Sequence, residues 1–209
     1  MKIVIDKAIP FIEGVFEPYF SEILYKDGKE IRISNPREAI ANGIGYVPED
    51  RLSEGLFLMQ PISENMVISK IDQLAGALSV VDRKACDIET DQWISELAIK
   101  TTDKKMNCSS LSGGNQQKVV LAKWLVKNCD ILIFDEPTRG IDVGAKSEIY
   151  HLMNELVAQG KSIIMISSEM PEVLRMSDRI VVMCEGRKTA EIDISEATQE
   201  NIMHAATLR

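Results

Sequence analysis

The second half of the chain alternates between short apolar runs and stretches with apolar residues at helical spacing. Mostly apolar runs predict buried strands over 131–134, 162–166 and 180–183. Between the first two runs, an apolar stripe from Ile149 to Val157 predicts a helix, and Gly160 suits its carboxyl-terminal cap. Shorter helices are predicted over 171–176 and 199–206, and an edge strand over 188–194. Strands that alternate with helices indicate an α/β fold on a mostly parallel sheet.

The beginning of the chain predicts an antiparallel β edge. Asp27-Gly28 lies between two β-prone runs within 23–33, which is typical of a hairpin turn. Asn35-Pro36 then starts a short helix that Asn42-Gly43 ends, and 44–47 reads as another strand. Residues 3–5 form a further short strand candidate, although Pro10 and Pro18 exclude a long helix in this region.

The stretch 61–107 is helical and polar. Ser63 with Glu64 can open one helix. Apolar residues within 87–99 are close to helical spacing and predict a second helix, with Ile88, Trp93, Ile94 and Leu97 on its stripe. Because the stretch separates two predicted strands of the sheet, we expect a helical subdomain inserted in a single α/β domain over 1–209.

Composition limits the classes of function. A chain of 209 residues with 45% hydrophobic and 27% charged residues is an ordinary globular chain. Its net charge of -8 argues against a nucleic-acid partner, which requires clustered lysine and arginine. No apolar run approaches the roughly 18 residues of a membrane span. The four cysteines are isolated in sequence, which favours reduced thiols over a metal site or disulfides.

Two motifs carry candidate phosphate chemistry. The first, which we call the glycine loop, is 111–118 and reads Leu-Ser-Gly-Gly-Asn-Gln-Gln-Lys. Gly113 and Gly114 allow backbone N–H groups to approach an anion, the following helix adds the positive end of its dipole, and Ser112 adds a hydroxyl donor. The same residues are compatible with a plain helix cap.

The second motif is a pair of carboxylates after the strand at 131–134. Asp135 can hold Mg²⁺ directly or through water, and Glu136 can orient or deprotonate an attacking water. A strand that merely ends in solvent would leave the same residues. Nowhere in the 209 residues is there a Gly-x-x-x-x-Gly-Lys-Ser/Thr loop.

In combination, the glycine loop, 133–138 and 140–142 are more specific than their parts. They resemble the ATPase module of ABC transporters over roughly residues 21–209, with a P-loop-NTPase-like fold, and the loop looks like the family's signature loop. The strand resembles its Walker B strand, and Asp142 its D-loop acid. Finer likeness at 46–51, 138–146 and 167–173 is to the second ATPase half of ribose-, galactose- and xylose-type sugar importers.

The resemblance implies a role for each matching position. It places Ser112, Gly113, Gly114, Gln116, Glu49 and Asp142 in a nucleotide site, Asp135 and Glu49 at Mg²⁺, and Glu136 and Ser168 at catalytic positions. Glu49 replaces the family's Q-loop glutamine, and Ser168 replaces its switch histidine. Both replacements are usual in the second half of the sugar importers.

The missing phosphate loop departs from the resemblance, because aligned positions for it fall at or before Met1. The chain therefore resembles a truncated domain or one fused to an unrelated start. Loss of several charge-assisted hydrogen bonds, each worth roughly 1.5–3 kcal/mol, predicts weak or absent binding of ATP and Mg²⁺ by the isolated chain. We accordingly expect the isolated chain to be inactive as an ATPase.

The leading hypothesis is the ATP-binding component of an ABC-type sugar importer. It implies a second ATPase module and membrane permease subunits as partners, with the chain cytoplasmic and peripheral on the inner face of the membrane. The alternative is a non-catalytic module that pairs with an ATP-binding partner without hydrolysing ATP. A DNA-repair or chromosome-organising ATPase is disfavoured, because 61–107 is too short for a long coiled coil.

Overall fold

The structure is a computed structural model that describes residues 2–7, 24–26, 28–76 and 80–208. The chain forms two compact units, which are described separately. The first unit comprises 1–45, 130–137 and 149–209, and the second comprises 46–129 and 138–148.

The first unit is built on a six-stranded sheet with the order β4-β5-β6-β1-β7-β8. Its strands are β1 (Lys2–Lys7), β4 (Ile44–Val47, which begins in this unit), β5 (Ile131–Asp135), β6 (Ser162–Ser167), β7 (Arg179–Cys184) and β8 (Arg187–Asp193). A separate hairpin consists of β2 (Leu24–Lys26) and β3 (Lys29–Ile31). The predicted strands are therefore confirmed within one or two residues at each end.

Strand direction shows a mixed sheet. β5 and β6 pair in parallel, whereas β7 and β8 pair antiparallel at the edge. The predicted α/β class with parallel and antiparallel strands is confirmed. β1 was predicted as a strand, but its place was not: it lies between β6 and β7 and is antiparallel to both, with Val4 opposite Ile166 and Val181.

The short helix and the turns predicted near the start of the chain are present in the structure. The Asn35 side chain accepts a hydrogen bond from the Glu38 amide, and Pro36 begins helix α1 (Pro36–Ala41). Gly43 follows with a φ of +76°, a conformation that favours glycine. In the hairpin, Gly28 has a φ of +70°, while Asp27, 8–23 and Met1 lie outside the described residues.

Apolar stripes hold the helices of this unit in place. Helix α5 (Val143–Ala158) enters the unit at Ile149 and buries Ile149, Met153 and Leu156, as the stripe predicted. Gly160 follows with a φ of +87°. Helix α6 (Met170–Met176) and helix α7 (Gln199–Ala206) follow, and Ile164 and Val181 form a buried cluster on the sheet.

The second unit is mainly helical. It contains α2 (Ile62–Val67), α3 (Arg83–Glu96) and α4 (Gly113–Lys127). Helix α4 is its centre, since all residues from Gln116 to Ala122 are buried. Val67, Leu74 and Cys86 form a second buried cluster. The inserted subdomain at 61–107 lies inside this unit and stays a prediction, as does the single-domain organisation.

One detail of the predicted second helix is wrong. The helix starts at Arg83 rather than near residue 87, because the Asp82 carboxylate caps it by accepting from the amides of Lys84 and Ala85. Its buried residues are Cys86 and Thr90, and Ile88 is 68% exposed. A residue two positions along a helix from a buried one lies on nearly the opposite face.

None of the helices in the described part of the chain combines the length with the apolar composition that spanning a membrane requires.

Candidate functional site

The candidate residues divide between the two units. The first unit contains Asp135, Glu136 and Ser168. The second unit contains the other six, namely Glu49, Ser112, Gly113, Gly114, Gln116 and Asp142. Each group is therefore described by itself.

In the first unit, the two carboxylates follow one another at the end of a buried strand. Asp135 is the last residue of β5, is 6% exposed and lies opposite Ile166 of β6. Glu136 adopts a φ of +47°, and its amide donates to the Ile166 carbonyl at 2.8 Å. A left-handed conformation is uncommon for a residue other than glycine and is found preferentially at functional sites.

Ser168 lies at the same edge of the sheet. It directly follows β6, which runs parallel to β5, so both strands deliver their final residues to one edge. Ser168 is exposed, and the turn around it is fixed by its neighbour Ser167. The Ser167 hydroxyl donates to the Glu172 carboxylate at 2.5 Å and accepts from the Glu169 amide at 3.0 Å.

This edge of the sheet suits Mg²⁺ that is held by few protein ligands. Among the described residues, no group of three or more histidine, cysteine, aspartate or glutamate side chains is arranged to hold a metal ion. Mg²⁺ in phosphate-transfer sites uses one or two carboxylates and completes its shell with water and substrate phosphates. Asp135, buried at the end of its strand, fits that role as a single protein ligand.

In the second unit, the glycine loop opens α4 without a side-chain cap. Ser112 is the N-cap residue, with an extended backbone, yet its hydroxyl does not bond to the first-turn amides. Instead, Ser112 Oγ accepts from the Asn115 side-chain amide at 2.9 Å, and Asn115 Oδ1 accepts from the Lys100 amide at 2.8 Å. Among the described residues, the first-turn N–H groups of α4 therefore lack their usual side-chain acceptor from the N-cap, which is the arrangement that an external anion can use.

Close packing explains both glycines of the loop. A Cβ at Gly113 would lie 2.9 Å from Arg51 Nη2. A Cβ at Gly114 would lie 3.0 Å from the Cβ of Ala145, in the first turn of α5. Neighbouring atoms thus leave little room for a side chain at either position, although the atom that faces Gly113 is the movable tip of Arg51 and the one that faces Gly114 is attached directly to helix backbone.

The remaining predicted residues have contacts of their own. Gln116 is buried, and its side-chain amide donates to the Cys108 carbonyl at 3.2 Å. The Glu49 carboxylate forms an ion pair with Arg139, which offsets its negative charge. Asp142 is exposed, and its Oδ1 accepts from the Ala145 amide at 2.9 Å, so it caps α5. Their roles toward ATP stay predictions.

Sequence reasoning missed two positively charged side chains of this unit. Arg51 begins a five-residue π-helix (Arg51–Gly55) and donates from Nη1 to the Arg139 carbonyl at 3.2 Å. Lys123 of α4 donates to the Gly55 carbonyl at 2.6 Å, and burial lowers the pKa of its ammonium group. Arg51 lies in the stretch 46–51, which carries part of the family resemblance, but no spacing in the sequence connects it with residues 113 or 139. The only local signal was Asp50, whose carboxylate caps the π-helix.

Comparison with known proteins decides the family. A family model described as ABC transporter matches residues 9–139, which is more than half of the 209-residue chain. The chain belongs to the ABC transporter family. Its fold agrees with that of solved ABC ATPases. A nucleotide-free ATP-binding cassette from an ABC transporter gives a TM-score of 0.70 at 21% identity, over 88% of this chain and 72% of that chain.

A second cassette, in a dimeric post-hydrolysis state bound to ADP and Pi, gives a TM-score of 0.69 at 19% identity, over 82% of this chain and 73% of that chain. At these identities the likeness shows the fold alone. The chain thus has the P-loop NTPase fold of ABC ATPases, with a mixed sheet.

Sequence relatives of this chain are sugar import proteins by name. An ATP-binding protein of Rhizobium etli named for import of ribose, galactose or methyl galactoside is 52% identical over 87% of this chain. The xylose import ATP-binding protein of Thermoanaerobacter pseudethanolicus is 48% identical over 94% of it. The chain spans only about a third of the length of these relatives, 34% and 39% respectively.

Proposed function

We propose that the chain is an ATP-binding component of an ABC-type sugar importer and contributes the signature-loop side of an ATP site. ABC ATPases bind ATP together with Mg²⁺, and the identity of 48–52% to named sugar import proteins supports this substrate class. The observation that carries the proposal is the first turn of α4, whose N–H groups receive no side-chain cap from Ser112 in the part of the chain that the structure describes.

In this proposal, the anion at α4 is the γ-phosphate of an ATP molecule held by the phosphate loop of a second ATPase module. The amides of Gly113 and Gly114 and the Ser112 hydroxyl donate to it, and the dipole of α4 adds positive potential. The Gln116 side chain anchors the loop through its hydrogen bond to the Cys108 carbonyl. The Asp142 carboxylate caps the start of α5 by accepting from the Ala145 amide.

Asp135 and Glu136 serve the site on their own side in the same scheme. Asp135 would hold Mg²⁺, whose charge offsets that of the phosphates, and Glu136 would orient the attacking water. Ser168 lies at the same sheet edge and is available as a neutral hydrogen-bond donor to a phosphate. Glu49 is proposed to lie near the nucleotide with its charge balanced by Arg139.

Partners and location follow from the same assignment. We propose that the chain pairs with a second ATPase module, binds membrane permease subunits and lies peripherally on the cytoplasmic face of the membrane, with the inserted subdomain at 61–107 toward the permease. Because no Gly-x-x-x-x-Gly-Lys-Ser/Thr loop occurs in the 209 residues, we expect the purified chain alone to bind Mg-ATP weakly.

The test is sugar uptake in the organism that carries the gene. The gene is deleted and restored as wild type, Ser112→Arg or Ser109→Arg, and uptake of radiolabelled ribose, xylose and galactose is measured. Both serines are exposed and three residues apart, so the Ser109→Arg variant is a matched control. We expect deletion and Ser112→Arg to abolish uptake of at least one sugar and Ser109→Arg to preserve it. Normal uptake of all three sugars by the Ser112→Arg strain would refute the proposal.

A further inference from the structure

Arg51 contacts two segments that are far from it in sequence. Its Nη1 donates to the Arg139 carbonyl at 3.2 Å. The same guanidinium covers Gly140, whose absent Cβ would lie 3.7 Å from Nη1, and it reaches Gly113 on the other side, whose absent Cβ would lie 2.9 Å from Nη2. One planar group therefore contacts both the first turn of α4 and the turn at 139–140, and the two segments also approach each other directly, since a Cβ at Gly113 would lie 3.6 Å from the Gly140 carbonyl oxygen.

Stability alone does not account for this position. Arg51 Nε is buried and has no hydrogen-bond partner among the described residues, which costs free energy of folding. The cation also lies against the amino terminus of α4, where the helix dipole disfavours positive charge. A residue that occupies its position despite two unfavourable contributions to the free energy of folding is a candidate for a functional constraint.

Neighbouring contacts anchor the segment that carries Arg51. Two residues earlier, the Glu49 carboxylate pairs with the Arg139 side chain, so the segment makes two polar contacts with Arg139, one to its side chain and one to its carbonyl. At its other end, Gly55 is held by Lys123 Nζ at 2.6 Å and packs against Val120 of α4, whose Cγ2 would be 3.0 Å from a Cβ at Gly55. A displacement of 49–55 would therefore move both the 139–140 turn and helix α4.

We propose that Arg51 is a positioning residue that makes the glycine loop and the 139–142 segment move together with the segment 49–55. The proposal rests on the proposed function, because it gives the coupled parts a use: Ser112 and Asp142 would face the nucleotide as one unit. Arginine is needed rather than lysine, since only a planar fork both donates to Arg139 and fills the space over the two glycines.

Amide hydrogen exchange of the whole chain tests the coupling directly. The reporters are the amides of Gln116, Ala145 and Lys146, which bond to Ser112 and Asp142. We expect Arg51→Gln to accelerate exchange at all three by about tenfold, because a charge-assisted hydrogen bond is lost, while amides of α3 stay unchanged. Arg83→Gln, which removes an exposed arginine of the same unit, should change none of them.

Non-additivity separates positioning from a general loss of stability. Gly113→Ala pushes against the guanidinium tip, so we expect faster exchange at Ala145 and Lys146 in the wild-type background and no further change in Arg51→Gln. Unchanged exchange in Arg51→Gln, acceleration spread equally through the unit, or additive effects of the two variants would each overturn the proposal.

Sugar uptake gives an independent readout. We expect Arg51→Gln and Arg51→Lys to lower the maximal uptake rate about tenfold or more without changing the KM for sugar, since the chain would not bind the sugar itself. Full rescue of uptake and exchange by lysine would show that charge alone suffices and would overturn the positioning role. If Ser112→Arg left uptake normal, the proposed function would fail while the exchange results still stood.

Discussion

The two glycines of the loop predict opposite outcomes for the same substitution. In Gly114→Ala, the new Cβ would lie 3.0 Å from the Cβ of Ala145, and both carbons are attached directly to helix backbone. In Gly113→Ala, the nearest atom, at 2.9 Å, is the tip of the Arg51 side chain, which can rotate away. The adjacent positions are therefore matched controls for each other.

The magnitude follows from the distances. Carbon atoms prefer separations of about 3.5–4.0 Å, and overpacking costs about 1–3 kcal/mol. Alanine regains up to about 0.5–1 kcal/mol of helix propensity over glycine. We therefore expect Gly114→Ala to lower the free energy of unfolding by up to about 2.5 kcal/mol, and Gly113→Ala, in which the Arg51 tip can move away, to raise it by up to about 1 kcal/mol.

The assay is urea unfolding followed by tryptophan fluorescence. Both tryptophans, Trp93 and Trp124, lie in the second unit, so the signal reports on the unit that contains the contact. The decisive variant is Gly114→Ala with Ala145→Gly, in which the added methyl group occupies the space that the removed one leaves. We expect a favourable coupling free energy of about 1–2.5 kcal/mol; a value within about 0.5 kcal/mol of zero would refute the steric explanation.

Three further predictions concern other residues of the second unit. Burial raises the pKa of the Cys108 thiol from 9.0 to about 11. Its thiolate population at pH 8 is then about 100-fold lower, so iodoacetamide should modify it only after unfolding, and mass spectrometry showing rapid native modification would contradict this. Asn65→Leu should lower the free energy of unfolding by about 1–3 kcal/mol in urea titrations, because it removes the side-chain acceptor of the Phe57 amide, whereas the carbonyls of Phe57, Gln60 and Pro61 keep backbone donors, and a loss under about 0.5 kcal/mol would disagree. A side-chain hydrogen bond from Ser53 lowers the pKa of Asp50 below 3.8. The stability that the Asp50 carboxylate gives by capping the π-helix at 51–55 is therefore complete above pH 3.8 and is lost as the pH falls through the lowered pKa. The NMR shift of the Ser53 amide should titrate below pH 3.8 and cease to do so in Asp50→Asn; a midpoint above 3.8 would be inconsistent.

Local signals in the sequence were sufficient for most elements. The Asn35-Pro36 start, the Gly160 stop and the stripe of α5 each specify a boundary within a few residues of themselves. The place of β1 could not be inferred in this way. A short apolar strand is compatible with either direction and any free position in the sheet, and only the pairing with β6 and β7 decides.

The candidate site was predictable only as far as its motifs. The sequence indicated that Gly113 and Gly114 allow close approach to a phosphate, whereas the structure shows that the side chains of Arg51 and Ala145 also lie close to these two positions. These contacts join residues far apart along the chain, and no periodicity reports on them. The exposed Ile88 shows the opposite error, in which apparent helical spacing placed a surface residue on a buried stripe.

The central claim is that the glycine loop of this chain meets the γ-phosphate of ATP held by a second module. Membranes of the native host are photolabelled with ATP that carries an aryl azide on its γ-phosphate, and the chain is digested with trypsin. Cleavage after Lys105 and Lys118 isolates the loop on peptide 106–118, while Asp135 lies on peptide 128–139. The account predicts label on 106–118 in membranes and none on the purified chain alone. Label confined to 128–139, or equal labelling of the purified chain, would contradict it.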